Sequence, residues 1–85
     1  MASIPLFVNN STIAFNAATG SSAGLYLYPG GNTDLESTII SNNTSSTGGS
    51  FDVVARADIT GAHNLILNPG AAVPGDTLTG IDPQL

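Results

Sequence analysis

The residues that could perform acid–base chemistry are few and widely spread. His63 is the only histidine of the chain, and Asp58 and Thr60 are the nearest residues that could join it in a nucleophile–base–acid arrangement. They are neighbours in sequence only, and His63 lies among turn-type residues, which favours an exposed turn histidine. The sequence contains no lysine, so no glycine-rich loop is followed by the lysine of a phosphate-binding motif. We therefore predict no catalytic residue and no bound cofactor, and we do not expect an enzyme.

The carboxylates also lack a pattern that would indicate a site. Asp52 and Asp58 are predicted to share one strand face with Arg56 between them, which favours a solvated face over the opposed acids of a glycosidase. Asp76 and Asp82 could offer oxygen ligands to calcium, but the spacing of a calcium-binding loop is absent. The chain has no cysteine, so a thiolate zinc site is excluded. We predict no metal site.

Two tyrosines are the strongest binding feature of the sequence. Tyr26 and Tyr28 alternate with leucines, so they are predicted to share one face of a strand. Two aromatic rings in that position could stack on a sugar or fill a pocket of a partner protein. They could equally pack against a neighbouring strand. The sequence leaves both interpretations open.

Composition excludes several classes of partner. Charged residues make up 8% of the chain, against about 25% in ordinary domains. Arg56 is the only basic residue apart from the histidine, and the formal net charge is −5. Phosphate neutralisation requires several cations, so we expect neither nucleic-acid binding nor binding to anionic membranes. A hydrophobic content of 41% and a mean hydropathy of +0.22 argue against disorder.

The chain is small enough to need help with its stability. Its 85 residues provide for one domain, predicted to span residues 1–85. A core of this size supplies only about 3–5 kcal/mol. Disulfides and thiolate-bound metals are excluded, so we expect oligomerisation or docking onto a larger protein to stabilise the fold.

The clearest strand pattern lies in residues 50–70. Apolar and small side chains alternate with charged ones, which is typical of a strand with one buried face. The predicted buried face comprises Phe51, Val53, Ala55, Ala57 and Ile59, and the predicted exposed face comprises Asp52, Arg56 and Asp58. Turn-type residues 60–64 and a second apolar run at 65–67 follow. We predict a β-hairpin over this stretch.

Other short strands are predicted on both sides of this hairpin. They cover residues 4–8, 11–17, 25–28, 38–40 and 77–79, with a polar exposed loop at 41–50. Thr33 and Glu36 fit a capping box, which indicates a single helical turn. The prediction is an all-β fold, a small, mainly antiparallel sandwich or barrel of about six or seven short strands with almost no helix.

One internal similarity suggests a repeat. Residues 25–30 and 65–70 both read as an apolar strand followed by Pro-Gly, at a spacing of 40 residues. The similarity indicates either a structural pseudo-repeat or two unrelated hairpins built from similar residues. Two such units would fall short of a solenoid, which needs about three.

The length, the sparse charge, the missing cysteines and the apolar terminal segments resemble those of the small capsid decoration (cement) proteins of tailed bacteriophages. The resemblance implies a non-enzymatic structural protein that docks on a major capsid protein, often as a trimer. It implies docking segments at residues 1–8 and 80–85. The residues proposed for the partner interface are Ile4, Leu6, Phe7, Val8, Tyr26, Tyr28, Ile81 and Leu85.

Two alternatives remain open at this point. The first is a subunit of an extracellular or phage-tail filament, in which a terminal strand completes the sheet of a neighbour. The second is a small carbohydrate-binding module that uses Tyr26 and Tyr28. Because the first residues do not fit a signal peptide, we expect synthesis in a cytoplasm and, for a decoration protein, localisation in the virion.

Overall fold

The computed structural model describes residues 6–19, 24–27, 32–46, 51–55, 58–70 and 72–85. The described residues form short strands joined by bends and turns, and none of them lies in a helix. The strands are β1 (Leu6–Asn9), β2 (Thr12–Ala14), β3 (Ala17–Ala18), β4 (Leu25–Leu27), β5 (Thr33–Glu36), β6 (Ile39–Ser41), β7 (Thr44–Ser45), β8 (Val53–Ala55), β9 (Ile59–Ala62), β10 (Leu65–Ile66) and β11 (Leu78–Thr79). No helix in the described ranges is long and apolar enough to span a membrane.

Every strand pair in these ranges is parallel. The sheets have the strand orders β1-β5-β9, β11-β10-β6-β2, β3-β7 and β4-β8. The chain therefore winds as a solenoid, which we divide into coil one (β1 to β4), coil two (β5 to β8) and coil three (β9 and β10). Each strand of one coil lies on the corresponding strand of the next, so each coil contacts mainly its neighbours.

The strand register gives the true repeat length. Leu6 lies opposite Thr33, and Thr33 lies opposite Ile59, which are spacings of 27 and 26 residues. Leu25 lies opposite Val53 at a spacing of 28. Paired strands of successive coils are thus separated by 26–28 residues along the sequence. The 40-residue spacing noted in the sequence does not correspond to any strand pairing among the described residues.

Left-handed backbone conformations form the corners of the coils. Asn10, Ser37 and His63 have φ of 48°, 52° and 61°, and they occupy the same position in successive coils. Phe15 and Asn42, with φ of 59° and 58°, form the next corner in the same way. Asparagine tolerates this region better than other non-glycine residues, because its short polar side chain can bond locally. The chain turns at these points without an interrupting loop.

Aliphatic side chains stack along the interior of the solenoid. The clearest column contains Ile13, Ile40 and Ile66, which the strand register places directly in line. Ile40 and Ile66 are fully buried, and Ile13 is half-buried. Leu27, Leu35 and Val53 complete the set of buried hydrophobic residues. The isoleucine column is continuous through the three coils and forms a narrow stack of side chains between the sheets.

Two predictions of the fold are corrected and one is confirmed. The all-β prediction is confirmed for the described residues. The mainly antiparallel sandwich or barrel is wrong, because all pairings are parallel. The hairpin over residues 50–70 is also wrong: β8 pairs with β4, and β9 pairs with β5. An alternating pattern identifies a strand with one buried face but does not specify its partner or direction.

Local expectations are corrected in three places. The predicted helical turn at Thr33 and Glu36 is strand β5, where packing on both neighbouring coils overrides a short capping signal. The predicted exposed loop at 41–50 contains β7 and the buried residues Ser41 and Asn43. Asp52, predicted to lie on an exposed face, is 1% exposed. Part of that loop and part of the 51–59 alternation, Arg56 included, lie outside the described residues.

Candidate docking edge and the polar bridge behind it

The first coil presents a row of strands with one free side. β1, β2, β3 and β4 each stand at the end of their sheet, and no described strand pairs with their outer sides. We call these four outer sides the leading edge. Unpaired strand edges expose main-chain donors and acceptors in a row, and such a row is a template for pairing with another chain.

The direction of the main-chain groups on β1 follows from its hydrogen bonds. The N–H of Leu6 donates to the Asn32 carbonyl at 3.0 Å, and the N–H of Asn10 donates to the Glu36 carbonyl at 2.9 Å. Residues of a strand direct their main-chain groups alternately to the two sides of the strand. The N–H and C=O groups of Phe7 therefore lie on the leading edge, where they are available to a partner.

The interior columns are also uncovered at the leading edge. Leu6 stands in the same column as Thr33, yet Leu6 is 41% exposed and Thr33 is 3% exposed. Val8 is half-buried, whereas Leu35, the next residue in its column, is fully buried. These side chains occupy the column positions of the core, and no described strand lies above coil one to cover them.

Several residues predicted for a partner interface lie on this edge. Leu6, Phe7 and Val8 belong to β1, and Phe7 points outward and is 65% exposed. Tyr26 belongs to β4 of the same coil and is partly exposed. The structure thus places these four residues on strands of coil one.

The remaining members of that set do not share the leading edge. Ile81 and Leu85 are both exposed and follow β11, at the opposite end of the solenoid. Ile4 and Tyr28 lie outside the described residues. The two predicted docking segments, residues 1–8 and 80–85, therefore do not form one continuous surface in the described part of the chain.

A network of polar side chains joins the coils behind the edge. The Asn43 Oδ1 atom accepts hydrogen bonds from the main-chain N–H and the Nδ2 of Asn16, at 3.0 and 2.9 Å. Asn43 in turn donates its main-chain N–H and its Nδ2 to Asp52 Oδ1, at 3.0 and 2.8 Å. Asp52 Oδ2 accepts the main-chain N–H of Asn68 at 2.9 Å. We call Asn16, Asn43, Asp52 and Asn68 the polar bridge.

The polar bridge explains why an aspartate is buried. A buried carboxylate is costly unless hydrogen bonds satisfy it, and Asp52 accepts three. Two of the donors are main-chain N–H groups at points where the chain leaves regular strand pairing. Asp52 therefore satisfies the backbone of two corners, and its role is structural. Sequence reasoning missed it because these partners are 9 and 16 residues away.

A second polar contact stabilises the first corner. The buried Asn64 accepts the Thr38 N–H on its Oδ1 at 3.0 Å and donates its Nδ2 to the Leu35 carbonyl at 2.7 Å. Thr38 donates its hydroxyl to the Val8 carbonyl at 3.3 Å. In both contacts a side chain of one coil donates to a carbonyl of the preceding coil, and Asn64 also accepts an N–H from that coil, so the corner residues join successive coils.

His63 lies at an outer groove, and its contacts do not form a catalytic arrangement. It is exposed, as predicted for a turn histidine, and its main-chain N–H donates to Asp76 Oδ2 at 3.0 Å. The Thr60 hydroxyl donates to Asp34 Oδ1 at 3.1 Å. Neither contact joins the imidazole to a hydroxyl. The groove is lined by Ser37, Ile39, His63, Asn64, Leu65, Asp76 and Leu78.

The carboxylates considered as calcium ligands serve the backbone instead. Asp82 Oδ1 accepts the Gln84 N–H at 2.9 Å and lies 3.4 Å from Asn42 Nδ2. Asp76 binds the main chain of His63, so the two carboxylates have different partners. Among the described residues, no three histidine, cysteine or acidic side chains gather into a group that could hold a metal ion.

No protein family, curated protein or solved structure matches the chain. A functional role must therefore be inferred from the geometry of the coils and their ends.

Proposed function

We propose that this chain is a non-enzymatic structural module that joins a larger protein assembly through the leading edge of coil one. The observation that supports this proposal is the exposure of core columns there: Leu6 is 41% exposed where Thr33, one coil further on, is 3% exposed. Apolar side chains and unpaired main-chain groups in one row favour association with another protein chain.

Two kinds of assembly could receive this module, a viral capsid or a filament. The sequence resemblance favours a capsid decoration protein that docks on a major capsid protein. The open strand edge also supports the filament alternative, because a strand edge that accepts a neighbour is what that mode of assembly requires. In both cases the docking surface is the leading edge, so one set of variants tests the surface for either assembly.

The experiment is sedimentation of the purified chain over a range of concentrations, with one variant at each end of the solenoid. Phe7→Pro removes an outward N–H of β1 and leaves the bonds to β5 in place, which proline permits on an edge strand. Thr79→Pro is the matched control, because the N–H groups of Leu78 and Gly80 donate to coil three, so the Thr79 N–H points away from β10.

We expect the unmodified chain and Thr79→Pro to associate beyond the monomer as concentration rises. We expect Phe7→Pro to remain monomeric with an unchanged circular dichroism spectrum. Equal association of Phe7→Pro and the unmodified chain, or an unmodified chain that binds neither itself nor empty capsids, would contradict the proposal. Empty capsids added to the same three proteins would then separate a decoration protein, which binds the lattice, from a filament subunit, which binds itself.

A further inference from the structure

The two ends of the solenoid are built differently. In the isoleucine column, Ile13 of coil one is half-buried, but Ile66 of coil three is fully buried although no complete coil follows it. Strand β11 lies parallel on β10, with Thr79 opposite Ile66, and covers this end of the column. We call the side of coil three that bears β11 the trailing end.

Residues 68–70 cover the outer side of β8, in the sheet β4-β8, at the trailing end. The Asp52 N–H donates to the Asn68 carbonyl at 2.8 Å, and the Gly70 N–H donates to the Val53 carbonyl at 2.7 Å. Pro69 forms a parallel bridge with Val53, so the outer side of β8 is occupied. A proline at this point has no N–H to offer to a further strand.

The sheet β1-β5-β9 ends at the trailing end with β9, and two features interrupt the outer side of this strand. The N–H groups of Thr33 and Ser37 donate to the carbonyls of Asp58 and Ala62, so alternate residues of β9 face β5. The main-chain groups of the intervening residues face outward. At the end of this series, the His63 N–H donates to the Asp76 carboxylate. Within β9, Gly61 has a φ of 117°, which departs from regular strand geometry and interrupts the edge.

We infer that docking on this chain is one-ended, and that the partner it fits at the leading edge is a further parallel β-coil with about the same 26–28-residue period. This inference rests on the proposed function and specifies its partner. A partner coil fits because the chain's own coils show what lies above each interior position. These features are a strand paired in parallel, an aliphatic residue over Ile13, and a main-chain carbonyl above the corner at Ser11.

The corner hydrogen bonds support this choice of partner. The single proton of the Thr38 hydroxyl is shared between two carbonyls, that of Glu36 within its coil at 3.0 Å and that of Val8 in the preceding coil at 3.3 Å. Ser11 occupies the equivalent position in coil one and donates to the Asn9 carbonyl at 2.8 Å. A preceding coil would supply the second carbonyl, as Val8 does for Thr38.

The test adds one coil to each end of the full chain in turn. A copy of residues 33–58 inserted between Pro5 and Leu6 places the copied Thr33 over Leu6, as Thr33 lies over Ile59. The same copy appended after Leu85 is the matched control. We expect the insertion to raise the melting temperature and to slow hydrogen exchange of the Phe7 amide by at least about tenfold, whereas the appended copy slows the Ile59 amide by much less.

A cross-link makes the result independent of stability. The chain has no cysteine, so Asp34→Cys in the inserted copy and Phe7→Cys in β1 provide the only two thiols. Adjacent paired positions lie within reach of a disulfide, so we expect an intrachain bond on mild oxidation. Val8→Cys, which points inward and is shifted by one residue, replaces Phe7→Cys in the control and should not form the bond.

The outcomes separate this inference from the proposed function. An unprotected Phe7 amide together with no disulfide would overturn the coil partner. If Phe7→Pro still abolished association, the leading edge would remain a docking surface for another kind of protein. Equal protection of the Ile59 amide by the appended copy would overturn the one-ended character and leave the leading edge unaffected.

Discussion

Replacing Asp52 by asparagine tests whether the polar bridge stabilises the fold. The side chain is 1% exposed and accepts hydrogen bonds on both oxygens, from Asn43 on one and from the Asn68 N–H on the other. Asparagine has the same shape but offers one acceptor oxygen and one NH₂ group. In either orientation, one main-chain N–H then faces a donor instead of an acceptor.

The magnitude follows from these contacts. Leaving one buried donor unsatisfied costs about 1–3 kcal/mol. The remaining bonds lose the strengthening that an ionised acceptor provides, so we expect a total loss of about 2–4 kcal/mol in the free energy of unfolding. For a domain of this size, each kcal/mol lowers the melting temperature by roughly 4–8 °C.

The assay is thermal and urea unfolding followed by circular dichroism, with Asp58→Asn as the control. Asp58 is exposed, so the control makes the same change of charge at the surface. We expect the control to lie within about 0.5 kcal/mol of the unmodified chain. If Asp52→Asn unfolded at the same temperature as Asp58→Asn, or if the Asn43 and Asn68 amides both kept their protection from exchange, the bridge would not have the role assigned to it.

Two further substitutions probe the backbone. Gly61→Ala should destabilise the chain by more than the roughly 1–3 kcal/mol that a strained backbone position costs, because φ is 117° and an added Cβ would also overlap the Leu35 carbonyl. Urea unfolding measures this loss beside that of Gly75→Ala, where an added Cβ meets nothing within 4 Å, and equal losses in the two variants would refute the prediction. Phe15→Asn should raise stability by about 0.5–1 kcal/mol, because the residue has a φ of 59° and is exposed. A lower melting temperature for Phe15→Asn than for Phe7→Asn, on a regular strand, would contradict that account.

Part of the architecture is readable from the sequence because it depends on local chemistry. Alternation of apolar and polar residues at 11–17 and 25–28 predicts strands, and β2 and β4 lie in those ranges. The position of His63 among turn residues predicts an exposed corner, which is where it lies. Neither inference requires knowledge of which segment is the neighbour.

The candidate docking edge was only partly predictable, because its exposure depends on which segment is the neighbour. Apolar residues at Leu6, Phe7 and Val8 mark a segment that could pack, but the same residues suit a covered core strand equally well. Leu6 is exposed because coil one has no described layer above it, which is a property of the whole stack. The recurrence of Ile13, Ile40 and Ile66 at spacings of 27 and 26 is a faint sequence signal for the repeat, because any aliphatic residue satisfies an interior column.

The formation of strands follows from local side-chain periodicity, which acts within a few residues. Their parallel pairing depends on long-range contacts between the coils, since a period of two is the same for parallel and antiparallel neighbours. The burial of Asp52 depends on the same long-range contacts. A lone aspartate between Phe51 and Val53 is predicted to face water, and it becomes stable inside only when Asn43 and Asn68, brought close by the winding of the coils, supply its hydrogen bonds.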